Sequence, residues 1–480
     1  MKKKTIIAVL CIALCFAVIM TATACTENYK VDGVETDLSN IDTTSNNGLA
    51  VRVGKYLYFI NGYANKTGDN DFGDTVKGAI MRVELENQKP KMDTLVTVVP
   101  KNVYNSSPSI GITVVGEYIY YTTPSIEKDS KGEPMTSKMD LMRTKLDGTG
   151  TQKIASFDDY SVSFRVTPTG YILYVREYNL HEIDLSTKRF KDREIATEIG
   201  DVKFLPYGEG VNSLSDTIIY TKNDDSTVNY FNHVYSFKAG AEEPKEVFNG
   251  LSSYEGKTLE HSKGYRISLT EIIPIGADSI RLFYSKTDSG VNTRSKGNYS
   301  YDFDFTFSFE WENEVRYTEG VNYTDFDILG EGYIFALDSD SYDLGIRGID
   351  GTWTFAPAVS GSSLKILGYK ETGNEVHVQY IVSNKLYTIK ALDKAGSDYV
   401  ISLEGAYALY KAGYFSTWLG YDKVYDTIYF FNSDVKNYTY YLDLSAVDRN
   451  DERTMKATRI GLFSHADEID MLVDPPTAEE

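Results

Sequence analysis

One motif returns eight times along this chain, a turn residue followed by a short, Tyr-rich apolar run, and it constrains the fold more than any other feature. It stands at Gly54-Lys55-Tyr56-Leu57-Tyr58-Phe59, Gly116-Glu117-Tyr118-Ile119-Tyr120-Tyr121, Gly170-Tyr171-Ile172-Leu173-Tyr174 and Asp216-Thr217-Ile218-Ile219-Tyr220. It returns at Asp278-Ser279-Ile280-Arg281-Leu282-Phe283-Tyr284, Gly332-Tyr333-Ile334-Phe335, Asn374-Glu375-Val376-His377-Val378-Gln379-Tyr380 and Asp426-Thr427-Ile428-Tyr429-Phe430-Phe431. Most copies have a second apolar run downstream, as at Leu141–Leu146, Val234–Phe237 and Leu386–Ile389, which is the pattern of strands in antiparallel pairs. No helical period is found after residue 40, and 38 Tyr and 22 Phe against 12 Pro favour strands over a disordered chain, so the class is all-β.

A chain of 480 residues exceeds one simple core and needs either several domains or a repeat architecture. The motifs lie on average about 53 residues apart, close to the roughly 40–50 residues of known propeller blades. Radial repetition also protects the sheet edges that an open sheet leaves exposed. The expectation is a β-propeller over residues 48–472, with eight blades or, because the unit boundaries blur between 285 and 331, seven. Two stacked β-domains are the structural alternative. Residues 473–480, with Pro475-Pro476, read as a frayed tail.

One unit carries a family likeness. Tyr118-Ile119-Tyr120-Tyr121-Thr122, followed by Leu141 to Gly150 with Asp147-Gly148-Thr149 and then Ile154, resembles the YWTD-type blades of lipoprotein receptors and the related Tol-associated bacterial propellers. The likeness covers about one blade. The Trp and Asp of the YWTD motif itself are missing, so neither that family's six blades nor its receptor role is implied here.

The N-terminus reads as an export signal: Lys2, Lys3 and Lys4 precede an apolar run from Ile6 to Met20. That run is shorter than the roughly 20 residues a membrane-spanning helix needs. Ala22-Thr23-Ala24-Cys25 resembles the lipobox of bacterial lipoproteins, which implies removal of residues 1–24 and lipidation of Cys25. Ala22 stands where that family prefers Leu, and secretion with a free thiol is the alternative. Cys11 and Cys15 fall inside the removed segment, so a mature chain keeps one cysteine and forms no internal disulfide. Residues 25–47, rich in Asp, Thr, Ser and Asn, read as a flexible tether on the outer face of the cell membrane.

Charge narrows the partners. The chain carries −20, and loss of the three signal lysines makes it −23. Binding to a phosphate backbone needs clustered Lys and Arg, so nucleic acid is not expected as a ligand.

The candidate sites are few. Tyr299, Tyr301, Phe303, Phe305, Phe307, Phe309 and Trp311 alternate with polar residues and are expected on one face of a long strand, buried in a blade or exposed as a stacking surface. His181, His233, His261, His377 and His465 are scattered, without an H-E-x-x-H pair, and no G-x-S-x-G elbow, Walker loop or dinucleotide fingerprint occurs. No catalytic residue, metal or cofactor is therefore expected. The acidic stretches Asp69–Asp74 and Asp338–Asp343 alternate oxygen ligands but lack the closing Glu of a calcium loop, and read as solvated turns. The expected function is a non-catalytic binding or scaffolding module for an unidentified protein or glycan, with the connections 62–78 and 122–138 as candidate binding loops. The alternatives are a carbohydrate-active enzyme using channel carboxylates and a solute-capture lipoprotein.

Overall fold

The computed structural model describes the strands and short turns between Thr43 and Ile460; residues 1–42, 63–77, 104–110, 126–129, 133–137, 206–215, 224–230, 259–264, 305–314, 317–325, 409–418, 461–480 and some shorter stretches lie outside the described residues. Within them the chain is a β-propeller. Eight antiparallel sheets follow one another in chain order, each built from consecutive strands: sheet I (43–99), II (113–157), III (164–196), IV (199–249), V (265–316), VI (326–355), VII (364–408) and VIII (419–460). Sheet I has five strands and the others four; a two-stranded hairpin, Ser253–Tyr254 with Lys257–Thr258, stands between IV and V.

Each of the eight repeated motifs is the strand that follows the first of the four radial strands of its sheet, after a short turn in every sheet but IV, where the link is 205–216. In sheet I that strand is Tyr56–Ile60, in II Tyr118–Pro124, in III Tyr171–Arg176 and in IV Thr217–Lys222. The turn residue is explained by backbone geometry: Gly54 and Gly116 have φ of 56° and 58°, where a Cβ would be strained. The strand after the turn is central in its sheet and is covered on both sides, so it reads as nearly continuous apolar sequence rather than strict alternation.

The sheets stand radially. The first strands of I and II, of IV and V, and of VI and VII touch one another, which places first strands innermost. Burial follows: Ala50–Val53 is buried throughout, whereas the outer strands Gln152–Phe157 and Lys191–Ala196 begin exposed. Apolar clusters fill the gaps between neighbours. One joins Tyr120 and Leu141 of sheet II to Phe164 and Ile172 of III, another joins Leu173 to Ile218 and Tyr220, and a third joins Ile219 and Phe248 to Ile267 and Ile280. Tyr58, Tyr121, Tyr174, Tyr220, Tyr284, Tyr380 and Tyr429, all on motif strands, are among the largest fully buried side chains. Truncating such an aromatic costs roughly 3–5 kcal/mol, so the Tyr repeat is the wedge that spaces the sheets.

The circle closes between VIII and I without a shared strand. The cluster containing Leu57 and Tyr58 of sheet I also holds Tyr429, Tyr441 and Ile460. The Thr439 hydroxyl donates to Ile60 O at 2.9 Å and accepts from Gly62 N at 2.9 Å. The Arg52 guanidinium lies 3.5 Å over the Tyr425 ring and donates to Gln88. An additional inner strand, Thr43–Thr44, pairs with Arg52 and Val53, and the Asn46 amide bonds both the N–H (2.8 Å) and the carbonyl (2.9 Å) of Val114 in sheet II. Among the described residues, strand pairing thus includes Thr43 and Thr44, inside the stretch whose composition reads as tether, and Asn46 bonds Val114 as a strand neighbour would.

The aromatic run is described only in its first part, where Tyr299, Tyr301 and Phe303 share one strand face. The strand is Ser295–Asp304, set by pairing of Ser295 with Thr287 and of Tyr299, Tyr301 and Phe303 with Tyr284, Leu282 and Ile280. The Ser295–Thr287 pair lies one residue out of register with the Tyr299–Tyr284 pairs, across an irregularity between Ser285 and Thr287, and Phe305–Trp311 lie outside the described residues. The three partner residues are fully buried, so this sheet face belongs to the core.

Candidate functional site

Strand direction divides the connections between two faces. Strands alternate, so the links between first and second strands and between third and fourth emerge on one face, here the turn face, and all others on the opposite, connection face. Counting sheet I from Ala50–Val53, the turn face carries tight links such as 54–55, 87–88 and 116–117, and also the longer links 205–216, 305–314 and 444–457. The connection face carries 61–79, 100–112 and 125–138, which include the two stretches expected as binding loops; most of their residues lie outside the described set. Thr43 pairs with Val53, at the turn-face end of its strand, so the chain arrives on the turn face.

Buried polar groups gather at the junctions between sheets. Between III and IV, Glu182 is 3% exposed and holds Arg193 through Nε and Nη2 at 3.0 and 2.9 Å, while its second oxygen accepts Gly240 N at 2.6 Å. Arg193 also donates to Ala241 O. On the inner side of the same junction, Arg165 donates to Leu205 O beside Asp216. Burial holds the Asp216 carboxyl above the usual carboxylate range, against the opposing bonds from Thr169 and the charges of Lys238 and Arg165. Between IV and V, Asp201 accepts Leu269 N at 2.9 Å. Arg143 lies 4.4 Å from the Tyr118 ring and 4.9 Å from the Phe190 ring, joining II to III.

Within sheet II, Asp140 is 4% exposed and takes Ser125, Ser156 and Lys153 at 3.2, 2.6 and 3.1 Å. Glu182 and Asp140 are held by several donors of the protein itself, an arrangement that cross-links strands, whereas the buried Oδ1 of Asp216 has no hydrogen-bond partner among the described residues.

The histidines are placed singly. His181 stacks on Tyr174 with centroids 4.9 Å apart and lies 3.5 Å from Asp192; His233 lies 3.5 Å from Glu246; His377 Nε2 is 2.8 Å from Glu375. They belong to sheets III, IV and VII, and the structure does not bring them together. His261, His465 and Cys25 lie outside the described residues, as does the acidic stretch Asp69–Asp74. Asp338 and Asp343 pair across a strand junction, and no group of three or more His, Cys, Asp or Glu suited to a metal is found among the described residues. No described helix is long and apolar enough to cross a membrane.

Sequence reading missed one exposed feature. Tyr178, at the tip of the hairpin between Tyr171–Arg176 and Asn179–Asp184, is 73% exposed on the connection face. Glu177 and Tyr178 both have positive φ, 49° and 64°, the values of a type I′ turn. The available signal was slight, a turn with neither Gly nor Asn at its centre.

No protein-family model matches the chain, and no curated protein matches it. Among solved structures, a eukaryotic initiation factor is 9% identical, with 87% of each chain covered and a TM-score of 0.42. The β-propeller domain of the Trilobed protease from Pyrococcus furiosus is 11% identical over 76% of this chain and 98% of that one, with a TM-score of 0.37. Virginiamycin B lyase from Staphylococcus aureus is 10% identical over 66% and 89%, with a TM-score of 0.33.

Proposed function

We propose that the chain is a lipid-anchored, extracytoplasmic binding or scaffolding module, held at the membrane through Cys25 and presenting its connection face outward. The observation that carries this reading is the pairing of Thr43 with Val53, which brings the chain out on the turn face, opposite the connections 61–79, 100–112 and 125–138. Residues 26–42, as a flexible chain, would reach on the order of 20–25 Å, enough to hold the body clear of the lipid headgroups. The charge of −23 on the processed chain favours the same arrangement, since an anionic membrane repels a body lying flat on it. Glu182 and Asp140, each bound by several internal donors, support a rigid scaffold, and function in such scaffolds sits on the segments they position.

The test is membrane fractionation with a clickable fatty acid in a bacterial host. The wild-type chain is expected in the membrane fraction carrying the label, and Cys25→Ala in unlabelled, released form. A labelled Cys25→Ala chain, or an unlabelled wild type free in the medium, would sink the anchor. Single cysteines introduced by Glu177→Cys and Lys55→Cys then report orientation: a bulky maleimide applied to intact cells should react faster at position 177 than at position 55, and the reverse order would refute the outward connection face.

A further inference from the structure

We propose that Tyr178 is the aromatic contact of a docking site for a basic protein segment, one that offers Lys or Arg side chains in an extended conformation. The proposal deepens the binding-module reading and rests on it for its setting. Among the described residues, Tyr178 and Val424 are the exposed large apolar side chains, and Tyr178 is the more exposed at 73%.

Its backbone is unusual for what it carries. A non-glycine residue at positive φ costs about 1–2 kcal/mol, and Asn-Gly would form the same turn with little strain. Three other described non-glycine residues at positive φ make side-chain contacts: Gln88 accepts from Arg52, Phe190 packs on Arg143, and Asp426 accepts the Tyr421 hydroxyl at 2.7 Å. The Tyr178 side chain has no such contact. Its position is nonetheless held. Ile199 N donates to Tyr178 O at 2.8 Å, Glu198 N (φ 55°) donates to the Asn179 amide oxygen at 3.4 Å, and Asn179 donates to Glu194 at 3.2 Å. The backbone that carries the ring is therefore fixed, and binding has only the two side-chain torsions of Tyr178 to order.

The surroundings select the partner's charge. Glu177, Glu194 and Glu198 are exposed around the tip, and the neighbouring cation, Arg176, is engaged by Asp158 at 3.3 Å. A phenol ring beside uncompensated carboxylates is the chemistry that holds an ammonium or guanidinium. The protein uses the same pairing internally, with Arg52 over Tyr425, Arg82 4.4 Å over Tyr56 and Arg143 over Tyr118. The acidic net charge draws such a segment in from a distance.

The test uses the full chain in non-ionic detergent and a fluorescein-labelled decapeptide of alternating Lys and Gly, read by anisotropy at two salt concentrations. The expected result is saturable binding that weakens with salt, falls about three- to tenfold in Tyr178→Ala, and is kept in Tyr178→Phe, because the ring rather than the hydroxyl meets the cation. Glu177→Gln with Glu198→Gln should also flatten the salt dependence. Equal affinity in Tyr178→Ala overturns the site. No binding by the wild type overturns the partner's chemistry, and salt-insensitive, Tyr178-dependent binding of an N-acetylglucosamine tetramer replaces it with glycan stacking. The labelling of Cys25 is independent of all three, so a failure here is distinct from a failure of the anchored module.

Discussion

Closure of the propeller without a shared strand makes Thr439→Val a sharp perturbation. Thr439 is 1% exposed and its hydroxyl serves both Ile60 O and Gly62 N, one on each side of the motif strand's end in sheet I. Valine has nearly the same shape, so packing is kept while two buried backbone groups lose their partner. Each orphaned buried group costs about 1–3 kcal/mol; with some rehydration as the junction loosens, a total loss of about 2–4 kcal/mol is expected. The loss should be local as well as global, because sheets VIII and I are joined here by side chains and not by a common ladder. Urea unfolding measures the total, and native-state amide exchange at Gly62 measures the opening of the junction. A change below about 0.5 kcal/mol, with Gly62 exchange unaltered, would refute the view that this hydroxyl holds the circle shut.

Two further outcomes test the packing. Gly240 has φ 81°, and a Cβ there would stand 2.9 Å from the Tyr171 hydroxyl oxygen, whereas Gly373 has φ 63° with open space around it. Gly240→Ala should lose about 2 kcal/mol and Gly373→Ala about 1 kcal/mol, read from urea midpoints; equal losses would mean that the contact with Tyr171 carries no weight. The second outcome concerns pH. Burial pushes the Tyr58 and Tyr121 phenols up to about 12, from an ordinary 10. Between these values the unfolded chain releases phenolic protons that the folded chain retains, so stability is full below about pH 10 and falls as pH rises toward 12. Absorbance titration should show these two phenols ionising well after the exposed tyrosines, and their early ionisation in a folded protein would contradict the burial.

The repeat, the strands and the all-β class were legible in the sequence because they are local and because burial on both sides writes itself as an apolar run. Each of the eight motifs became a motif strand, and the glycines at 54 and 116 marked the turns that need positive φ. The aromatic alternation from Tyr299 to Trp311 was less informative. Period alone does not set where a strand starts, and the pairing of Ser295 with Thr287 did.

The partners of the polar residues depended on tertiary structure altogether. Asn46 binds Val114, Glu182 binds Gly240, and Thr439 binds Ile60 and Gly62, across separations that no local pattern encodes. The same holds for the candidate surface. Composition announced an acidic, Tyr-rich chain, but which tyrosine stays in water was decided by packing: neighbouring sheets bury Tyr58 and Tyr121, while a two-residue turn leaves Tyr178 exposed at a tip. By itself the sequence determined that strands of this kind must form and repeat, since strand formation answers to neighbours a few residues away. The face on which the chain arrives, the face that bears the connections 61–79, 100–112 and 125–138, and the junction that closes the circle were decided only in three dimensions, because each depends on strand direction and on contacts between residues far apart in the chain.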